Sequence, residues 1–240
     1  MRWGRRKGRT LKTYLETEEI KMLEGATTNL RDRLLVRVLF HLGCRVSEAL
    51  ALSPDDIDFK LGNVIIIHLK QRVKASCSHC GNRLGCTNTF CSRCGEKVES
   101  LVKKELDHRT QRIIPVDKVT LKLLRKYIER GGTAVRQGKK LVFGINRHRA
   151  WQIIRECSEK AELPKLVNPE TGKMHGISPH KLRDAFAVHA VKKDDSGDGL
   201  RILQEHLGHT SFNTTARYRK VSGAEHRDWY ERLWEEENNG

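Results

Sequence analysis

The chain has 240 residues, and its 46 lysines and arginines outnumber its 30 aspartates and glutamates, which gives a formal net charge of +16. No stretch approaches the roughly 18 consecutive apolar residues of a membrane helix, and no apolar secretory segment follows the basic N-terminus. A charge this large predicts an anionic partner, usually nucleic acid, with a merely soluble basic protein as the alternative. We therefore expect a soluble intracellular protein that binds a polyanion.

Residues 1–12, MRWGRRKGRTLK, contain six basic residues and no acidic one. Such a run predicts a flexible arm that can follow a phosphate backbone. The candidate DNA-binding residues of this arm are Arg5, Arg6, Lys7 and Arg9.

The first regular elements are predicted to be helices. Apolar residues recur at helical spacing in residues 30–42, and Gly43 is a typical end for that helix. A second helix is predicted through residues 47–52. Ser53 and Pro54 then suit the cap and the first residue of a turn or a further helix.

Two β-branched runs, residues 63–69 and 111–116, are predicted strands. We interpret them as a hairpin interrupted by a long insertion, residues 71–110. Asp117 and Asn146 are candidate caps of two later helices. The body is therefore predicted to be a mainly helical α+β fold with one small antiparallel β-sheet.

Five of the seven cysteines lie between residues 77 and 94, which favours a metal site over a secreted disulfide framework. Two Cys-x-x-Cys pairs, each followed by glycine, are typical of a closed tetrahedral zinc site with a structural role. The predicted zinc ligands are Cys77, Cys80, Cys91 and Cys94. Cys86 is a spare thiol or a substitute ligand, and His79 and His108 are weaker alternatives.

The insertion is too short to build a good hydrophobic core, so zinc would supply its folding energy. Basic residues surround the cysteines, and they suit either a DNA-backbone contact or an ordinary solvated face. These residues are Arg72, Lys74, Arg83, Arg93 and Lys97.

A helix predicted to begin near residue 178 brings two basic side chains together. Ser178 suits its N-cap and Pro179 its first residue. His180 and Arg183 are three residues apart on one face, opposite an apolar stripe that begins with Leu182. An imidazole, a guanidinium and a helix N-terminus suit a phosphate group, although this pattern alone is more often surface charge.

Arg45 is a second isolated arginine, and Glu48 is placed to hold its guanidinium. An Arg–Glu pair at this spacing is also common on ordinary helices, where it contributes about 0.3–0.5 kcal/mol.

Tyr218 lies in a strongly basic stretch, nine residues after His209 and between Arg217 and Arg219. These surroundings are unusual for a core tyrosine, and the two arginines are further candidates for DNA binding.

The order of these motifs resembles the catalytic domain of the tyrosine recombinases, the phage-integrase and Xer-type family. The matching segments are LGCRVSEALAL, SPHKLRDAFAVHA and LQEHLGHTSFNTTARYRKV. The resemblance implies that family's fold for residues 13–240, preceded by the basic arm and interrupted by a zinc ribbon at residues 71–110.

Residue by residue, the resemblance implies a catalytic set with a tyrosine nucleophile: Arg45, His180, Arg183, His209 and Tyr218, supported by Glu48. His206 is not part of this set. The family also uses a lysine of the hairpin. We prefer Lys70, which ends the first strand, with Lys74, Lys103 and Lys104 as rivals.

The implied activity is site-specific recombination or integration of double-stranded DNA through a covalent 3′-phosphotyrosine, with no ATP and no catalytic metal. Two guanidiniums would clamp the phosphate oxygens. Tyrosine ordinarily has a pKa of about 10, and the neighbouring arginine and histidine are expected to lower the pKa of Tyr218. The resemblance further implies self-association on DNA, as a tetramer for example, and a cytoplasmic, nucleoid-associated location in a prokaryotic or viral context.

Family members usually carry a separate core-binding domain before the catalytic one, whereas about a dozen residues precede the first helix here. The arm, the zinc ribbon or a partner would then complete the clamp on DNA. Two alternatives stay open: a zinc-ribbon DNA-binding protein without autonomous recombination, and a type IB topoisomerase-like nicking-closing activity. Aromatic residues in the segment 224–240 would suit docking onto a neighbouring protomer or packing on their own domain.

Overall fold

A computed structural model of the chain describes residues 12–67, 72–84, 88–97, 101–106, 111–136, 138–168 and 171–220. The chain divides into two compact units, with the boundaries at Ile66–Ile67 and Gln111–Arg112. None of the helices in the described ranges is long and apolar enough to span a bilayer.

The larger unit is mainly helical. Its helices are α1 (Thr17–Gly25), α2 (Leu30–His41), α3 (Val46–Leu50), α4 (Lys118–Glu129), α5 (Arg147–Lys160), α6 (Pro179–Lys193), α7 (Gly197–Leu207) and α8 (Phe212–Ala216), with short 3-10 helices at Pro54–Asp56 and Arg217–Lys220.

Three small antiparallel elements accompany these helices. The strands are β1 (Ile57–Asp58), β2 (Asn63–Ile67), β6 (Gln111–Pro115), β7 (Ala134–Arg136), β8 (Lys139–Leu141), β9 (Leu166–Val167) and β10 (Met174–His175). The first three form a sheet in the order β1-β2-β6, so the two strands predicted on either side of the insertion are hydrogen-bonded neighbours. β7 pairs with β8, and β9 pairs with β10.

The smaller unit contains β3 (Arg72–Cys77), β4 (Arg83–Leu84) and β5 (Leu101–Leu106) in the order β4-β3-β5. β3 and β5 are antiparallel, with Cys77 opposite Leu101 at one end of the ladder. The predicted insertion, residues 71–110, falls within this unit, which extends from Ile67 to Gln111.

Local capping explains where several helices begin. The side chain of Asp117 accepts a hydrogen bond from Thr120 N at 3.0 Å, and Asn146 accepts one from Arg149 N at 2.8 Å. Both caps were predicted, and each satisfies an otherwise free amide of the first turn. Ser178 stands at the N-cap of α6 and Pro179 is its first residue, as predicted, although the Ser178 side chain makes no cap hydrogen bond.

The main core surrounds α2, which packs against α1, α4 and α6. Leu34, Leu35 and Leu39 of α2 are completely buried. A second, smaller cluster joins α6, α7 and the last 3-10 helix; its buried members are Ala187, Val188, Val191, Leu200, Leu203, Leu207 and Tyr218.

A charged network joins α1, α2 and α4 at the edge of the main core. Arg37 donates to both carboxylate oxygens of Glu24 at 2.9 and 3.1 Å, to Asp117 at 3.1 Å and to Thr120 at 3.0 Å. Burial alone would raise the pKa of Glu24, but hydrogen bonds and charge from His41 and Arg37 outweigh it and hold that pKa below its ordinary value.

Arg37→Met should lower the free energy of unfolding by about 3–5 kcal/mol at pH 7, because it leaves Glu24 buried without its arginine. A lowered folded-state pKa adds stability above the unfolded pKa of about 4.3 and loses it as pH falls through the folded value. The difference from wild type should therefore shrink in acid. Urea unfolding at pH 7 and in acid measures both effects, with the exposed Arg201→Met as control, expected to change stability by less than about 0.5 kcal/mol. An equal loss at both pH values would contradict this account.

Candidate active site

Arg183 is the most deeply buried charged residue of the site, with 1% of its surface exposed. Its Nη1 donates to the carbonyl oxygen of Gly43 and its Nη2 to that of Leu207, both at 2.7 Å. Burial lowers the pKa of Arg183 to about 10, with a further contribution from Arg45, so the guanidinium remains charged at neutral pH. The sequence analysis placed Arg183 opposite the apolar stripe of α6. This was wrong, because the side chain lies among the core residues and bonds to two other segments.

Arg45 precedes α3 and pairs with Glu48, as predicted. The guanidinium donates from Nη1 to Glu48 Oε1 at 2.9 Å, and the backbone amide of Arg45 donates to Oε2 at 2.8 Å. Glu48 is 3% exposed, whereas the Arg45 side chain is 35% exposed. A buried carboxylate thus orients a half-buried guanidinium.

A third arginine belongs to this group and was not predicted from the sequence. Arg112, on β6, donates to both oxygens of Glu48, from Nη2 at 2.7 Å and from Nη1 at 3.3 Å. Its side chain is 13% exposed. Its position as a polar residue between Gln111 and the apolar run of β6 gave no local signal of this contact.

His209 follows α7 and is held by its backbone and by its ring. Its amide donates to Gln204 O at 3.1 Å, and its Nδ1 lies 2.8 Å from the hydroxyl of Thr215. Burial, followed by the charges of four arginines, lowers the pKa of His209 to about 4. The imidazole is therefore neutral at pH 7. The four arginines are Arg183, Arg45, Arg217 and Arg112.

Tyr218 is 3% exposed and belongs to the smaller apolar cluster. Its hydroxyl donates to Asp184 Oδ1 at 2.8 Å and accepts from Arg217 Nη2 at 2.9 Å. The Arg217 guanidinium also lies over the phenol ring, 4.8 Å from its centroid, and the His209 ring stacks at 6.3 Å.

Burial raises the pKa of Tyr218 to about 12, and Asp184 adds to this effect, whereas Arg217 opposes it. The expectation that basic neighbours would lower this pKa was wrong for this arrangement, as was the view of Tyr218 as a poor core residue. The sequence offered no signal for Asp184, which lies on α6, 34 residues before the tyrosine.

The remaining predicted residues differ in how close they come to this group. His180 is exposed, and its Nε2 is 3.7 Å from Asp184 Oδ1, so it lies at the edge of the group. Arg219 is also exposed and lies 3.8 Å from Asp195. His206 instead bonds to the carbonyl oxygen of Leu42 at 3.1 Å and stacks on Phe186.

Several predicted residues lie outside the described residues: Lys70, Cys86, His108, the arm residues Arg5, Arg6, Lys7 and Arg9, and the segment 224–240. Among the rival lysines, Lys74 is opposite Lys104 in the ladder of β3 and β5, and Lys103 is opposite Ala75.

The four predicted metal ligands converge in the smaller unit, with all their sulfur atoms within 4.8 Å of one another. The sulfurs of Cys77 and Cys94 are 3.7 Å apart, and those of Cys80 and Cys91 are 3.6 Å apart. A tetrahedral metal with sulfur ligands at about 2.3 Å requires sulfur–sulfur distances of about 3.8 Å, so the residues fit a closed four-thiolate site.

Backbone turns shape both halves of this site in the same way. The amide of Gly81 donates to Cys77 O at 3.0 Å, and that of Gly95 donates to Cys91 O at 2.9 Å. Both glycines have positive φ angles, as the predicted knuckles require.

The sequence profile of the phage integrase family matches residues 13–80 and 93–225. The chain belongs to this family. The unmatched residues within the profile, 81–92, begin after the first cysteine pair and include Cys91 of the second.

Two curated relatives are named as tyrosine recombinases. XerD of Corynebacterium glutamicum is 28% identical over 230 residues, which cover 90% of this chain and 59% of the relative. XerA of Thermococcus kodakarensis is 26% identical over 221 residues, which cover 89% of this chain and 60% of the relative. The chain thus spans about three-fifths of the length of these relatives.

Solved structures confirm the predicted fold, that of the tyrosine recombinase catalytic domain. The XerA recombinase superposes with a TM-score of 0.61 at 20% identity, covering 95% of this chain and 66% of that one. The catalytic domain of the bacteriophage HP1 integrase has a TM-score of 0.51 at 17% identity, covering 89% of this chain and 90% of that one.

Asp184→Asn should lower the pKa of Tyr218 below about 12, because it removes a negative charge beside the phenol while leaving an oxygen to accept the hydrogen bond. NMR spectra of proteins with labelled tyrosine report the fraction of Tyr218 that is phenolate. At one alkaline pH this fraction should be larger in Asp184→Asn than in wild type. Tyr218→Phe assigns the signal. Asp195→Asn is the control, since Asp195 is exposed and pairs with Arg219. A Tyr218 titration unchanged by Asp184→Asn would contradict the proposed influence of this carboxylate.

Proposed function

We propose that this chain is the catalytic part of a site-specific DNA recombinase or integrase that cleaves and rejoins strands through a covalent 3′-phosphotyrosine. The observation that carries the proposal is the grouping of Tyr218 with Arg217, which bonds to its hydroxyl at 2.9 Å, and with His209, whose ring stacks on it at 6.3 Å. Arg183 bonds to the carbonyl of Leu207, two residues before His209, and adds to the positive charge there. The concentrated positive charge of these side chains favours the binding of an anion. The tyrosine hydroxyl among them can act as a nucleophile toward that anion.

A DNA phosphodiester matches this charge. Arg45 and Arg183 would bind the non-bridging oxygens, on which negative charge builds as the phosphate is attacked. If Thr215 donates to Nδ1 of His209, the neutral ring carries its proton on Nε2 and can donate it to a phosphate oxygen. His209 would then contribute a hydrogen bond at neutral pH without needing to be charged.

In the proposed reaction the Tyr218 oxygen forms a bond to phosphorus, and the bond from phosphorus to the 5′ oxygen breaks. The phenol loses its proton as it attacks, and the leaving oxygen gains one from a general acid, for which Lys70 is our candidate with assistance from His180. Because the new bond conserves the energy of the old one, a 5′ hydroxyl can reverse the step without ATP or a catalytic metal.

Tyr218 must move before it can react. The phenol is buried and bonded to Asp184 and Arg217, and its pKa of about 12 disfavours the phenolate. We infer that a rearrangement of the last 3-10 helix, Arg217–Lys220, brings the tyrosine to the phosphate, and that the described arrangement is not the reactive one.

Double-stranded DNA is the proposed partner, in keeping with the net charge of +16. A structurally similar protein, the XerH recombinase, was solved bound to its difH DNA substrate after cleavage. Self-association on DNA and a cytoplasmic location belong to the same proposal.

Zinc is the proposed occupant of the four-cysteine site, with a structural role. The sulfur–sulfur distances of 3.6 and 3.7 Å suit it, and four protein thiolates leave no coordination position for a substrate. Bound there, zinc would supply folding energy to a unit whose described apolar cluster is small: Cys77, Leu84 and Cys91, with Cys80 packed against them.

Incubation with a nicked suicide duplex that contains the cognate site should yield a protein–DNA adduct that survives denaturant. Tyr218→Phe should abolish the adduct, since it removes the attacking oxygen, while leaving DNA affinity nearly unchanged. Tyr127→Phe serves as the matched control, because Tyr127 packs against the main core, whereas Tyr218 belongs to the smaller cluster. Denaturing gel electrophoresis detects the adduct.

The outcomes separate the alternatives. An adduct that persists in Tyr218→Phe would overturn the nucleophile assignment. A wild-type protein that binds its site without an adduct would favour the DNA-binding protein that lacks autonomous recombination. Adducts with relaxation of supercoils but no strand exchange between sites would favour a topoisomerase-like activity.

Purified protein should contain one zinc ion per chain by elemental mass spectrometry. Cys91→Ser should lose that zinc and the folded smaller unit, whereas Cys157→Ser should keep both, since Cys157 lies on α5 in the main core. Chelation should unfold the smaller unit without directly removing the cleavage chemistry. A chelator that abolished adduct formation while the protein stayed folded would implicate a catalytic metal.

A further inference from the structure

Two guanidiniums share the buried carboxylate of Glu48. Arg45 contacts Oε1 at 2.9 Å, and Arg112 forms a fork to both oxygens at 2.7 and 3.3 Å. The backbone amide of Arg45 also donates to Oε2 at 2.8 Å, so Arg45 itself holds both oxygens from the start of α3. Arg112 adds a two-point fork from a different element, β6, and a fork of this kind constrains the plane of a carboxylate.

Arg112 also lies beside the turn that carries His209. Gly208 has a φ of +63°, and a Cβ at that position would lie 2.8 Å from Arg112 Nη1. Two features therefore favour glycine at position 208: its positive φ angle and the close approach of the Arg112 guanidinium. The Arg112 side chain therefore lies next to both the Arg45–Glu48 pair and Gly208, the residue before His209.

We propose that Arg112 is a positioning residue for strand cleavage, which acts by fixing Glu48 so that Arg45 is held ready for the phosphate. This inference rests on the proposed function. Arg112 stands on β6 and belongs to the larger unit, as do Arg45 and Glu48.

Arg37 provides an internal comparison. Like Arg112, it donates to both oxygens of a buried glutamate, here Glu24, although from the single nitrogen Nη1. Its Nε and Nη2 are also bonded, to Thr120 and Asp117. The buried Nε of Arg112, in contrast, has no hydrogen-bond partner among the described residues. Arg37 has the contacts of a purely structural arginine, whereas the partners of Arg112 lie in the site.

Arg112→Lys keeps the charge but loses the fork. It should slow single-turnover adduct formation on the suicide duplex by about 10- to 100-fold, as expected for a misplaced catalytic group. DNA affinity, measured by fluorescence anisotropy, should change by less than about threefold, because the proposed role is in the reaction and not in ground-state binding. Arg37→Lys should lose comparable stability and keep the wild-type rate.

A double-mutant cycle tests the route through Arg45. In an Arg45→Lys background, Arg112→Lys should slow the reaction much less than it slows wild type, because the guanidinium it positions is already gone. Full additivity, an unchanged rate in Arg112→Lys, or a loss of DNA affinity equal to the loss of rate would each overturn the proposal.

A measurement without DNA separates this proposal from the function on which it rests. The side-chain Nε resonance of Arg45 should shift or broaden in Arg112→Lys and stay unchanged in Arg37→Lys. If wild type forms no adduct, the proposed function fails while the spectrum still decides whether Arg112 positions Arg45. An unchanged Arg45 resonance in Arg112→Lys would sink the positioning role even if the enzyme is active.

Discussion

The site depends on one buried cation, the guanidinium of Arg183. Its bonds to the carbonyl oxygens of Gly43 and Leu207 join α6 to the loop before Arg45 and to the end of α7 before His209. Three segments far apart in the chain are therefore fixed to one planar group. Because a buried charge is costly unless it is well bonded, removing either carbonyl contact would disturb the packing as well as the charge of the site.

The charges around Arg183 are balanced unevenly. Glu48 offsets Arg45 and Arg112, while Asp184 lies against Arg217, Lys181 and the hydroxyl of Tyr218. Burial is the largest cause of the lowered pKa values of His209 and Arg183, and the surrounding arginines lower both further. An anion placed among these groups would reduce the repulsion between the guanidiniums and would accept hydrogen bonds from them. Both effects would contribute to the proposed binding of a phosphate.

Sequence reasoning succeeded where the determinants are local. Asp117 and Asn146 cap helices through residues three positions away, and the cysteine pairs carry their own turns. The order of motifs, each of them a short local pattern, identified the family. The first helix was expected after about a dozen residues without stated bounds, because its N-cap, Glu16, is a weak capping signal.

Partners distant in the chain could not be predicted in this way. Arg112 meets Glu48 across 64 residues, and Asp184 meets Tyr218 across 34. No periodicity or cap marks either contact, since each forms only when separate elements pack together. The burial of Arg183 has the same origin: its partners are carbonyl groups, which every residue carries, so no sequence pattern indicates them.

The burial of Tyr218 is consistent with its proposed role as a nucleophile, because the buried arrangement and the reactive arrangement are different conformations. A phenol with a pKa of about 12, bonded to a carboxylate in an apolar cluster, is protected from reaction in the absence of substrate. Moving it to a phosphate held by Arg45 and Arg183 would replace Asp184, which opposes ionisation, with guanidiniums, which favour it. The same movement would thus bring the Tyr218 oxygen to phosphorus and lower the pKa of the phenol. Nucleophilicity would be coupled to the presence of DNA, which is what a strand-cleaving enzyme requires.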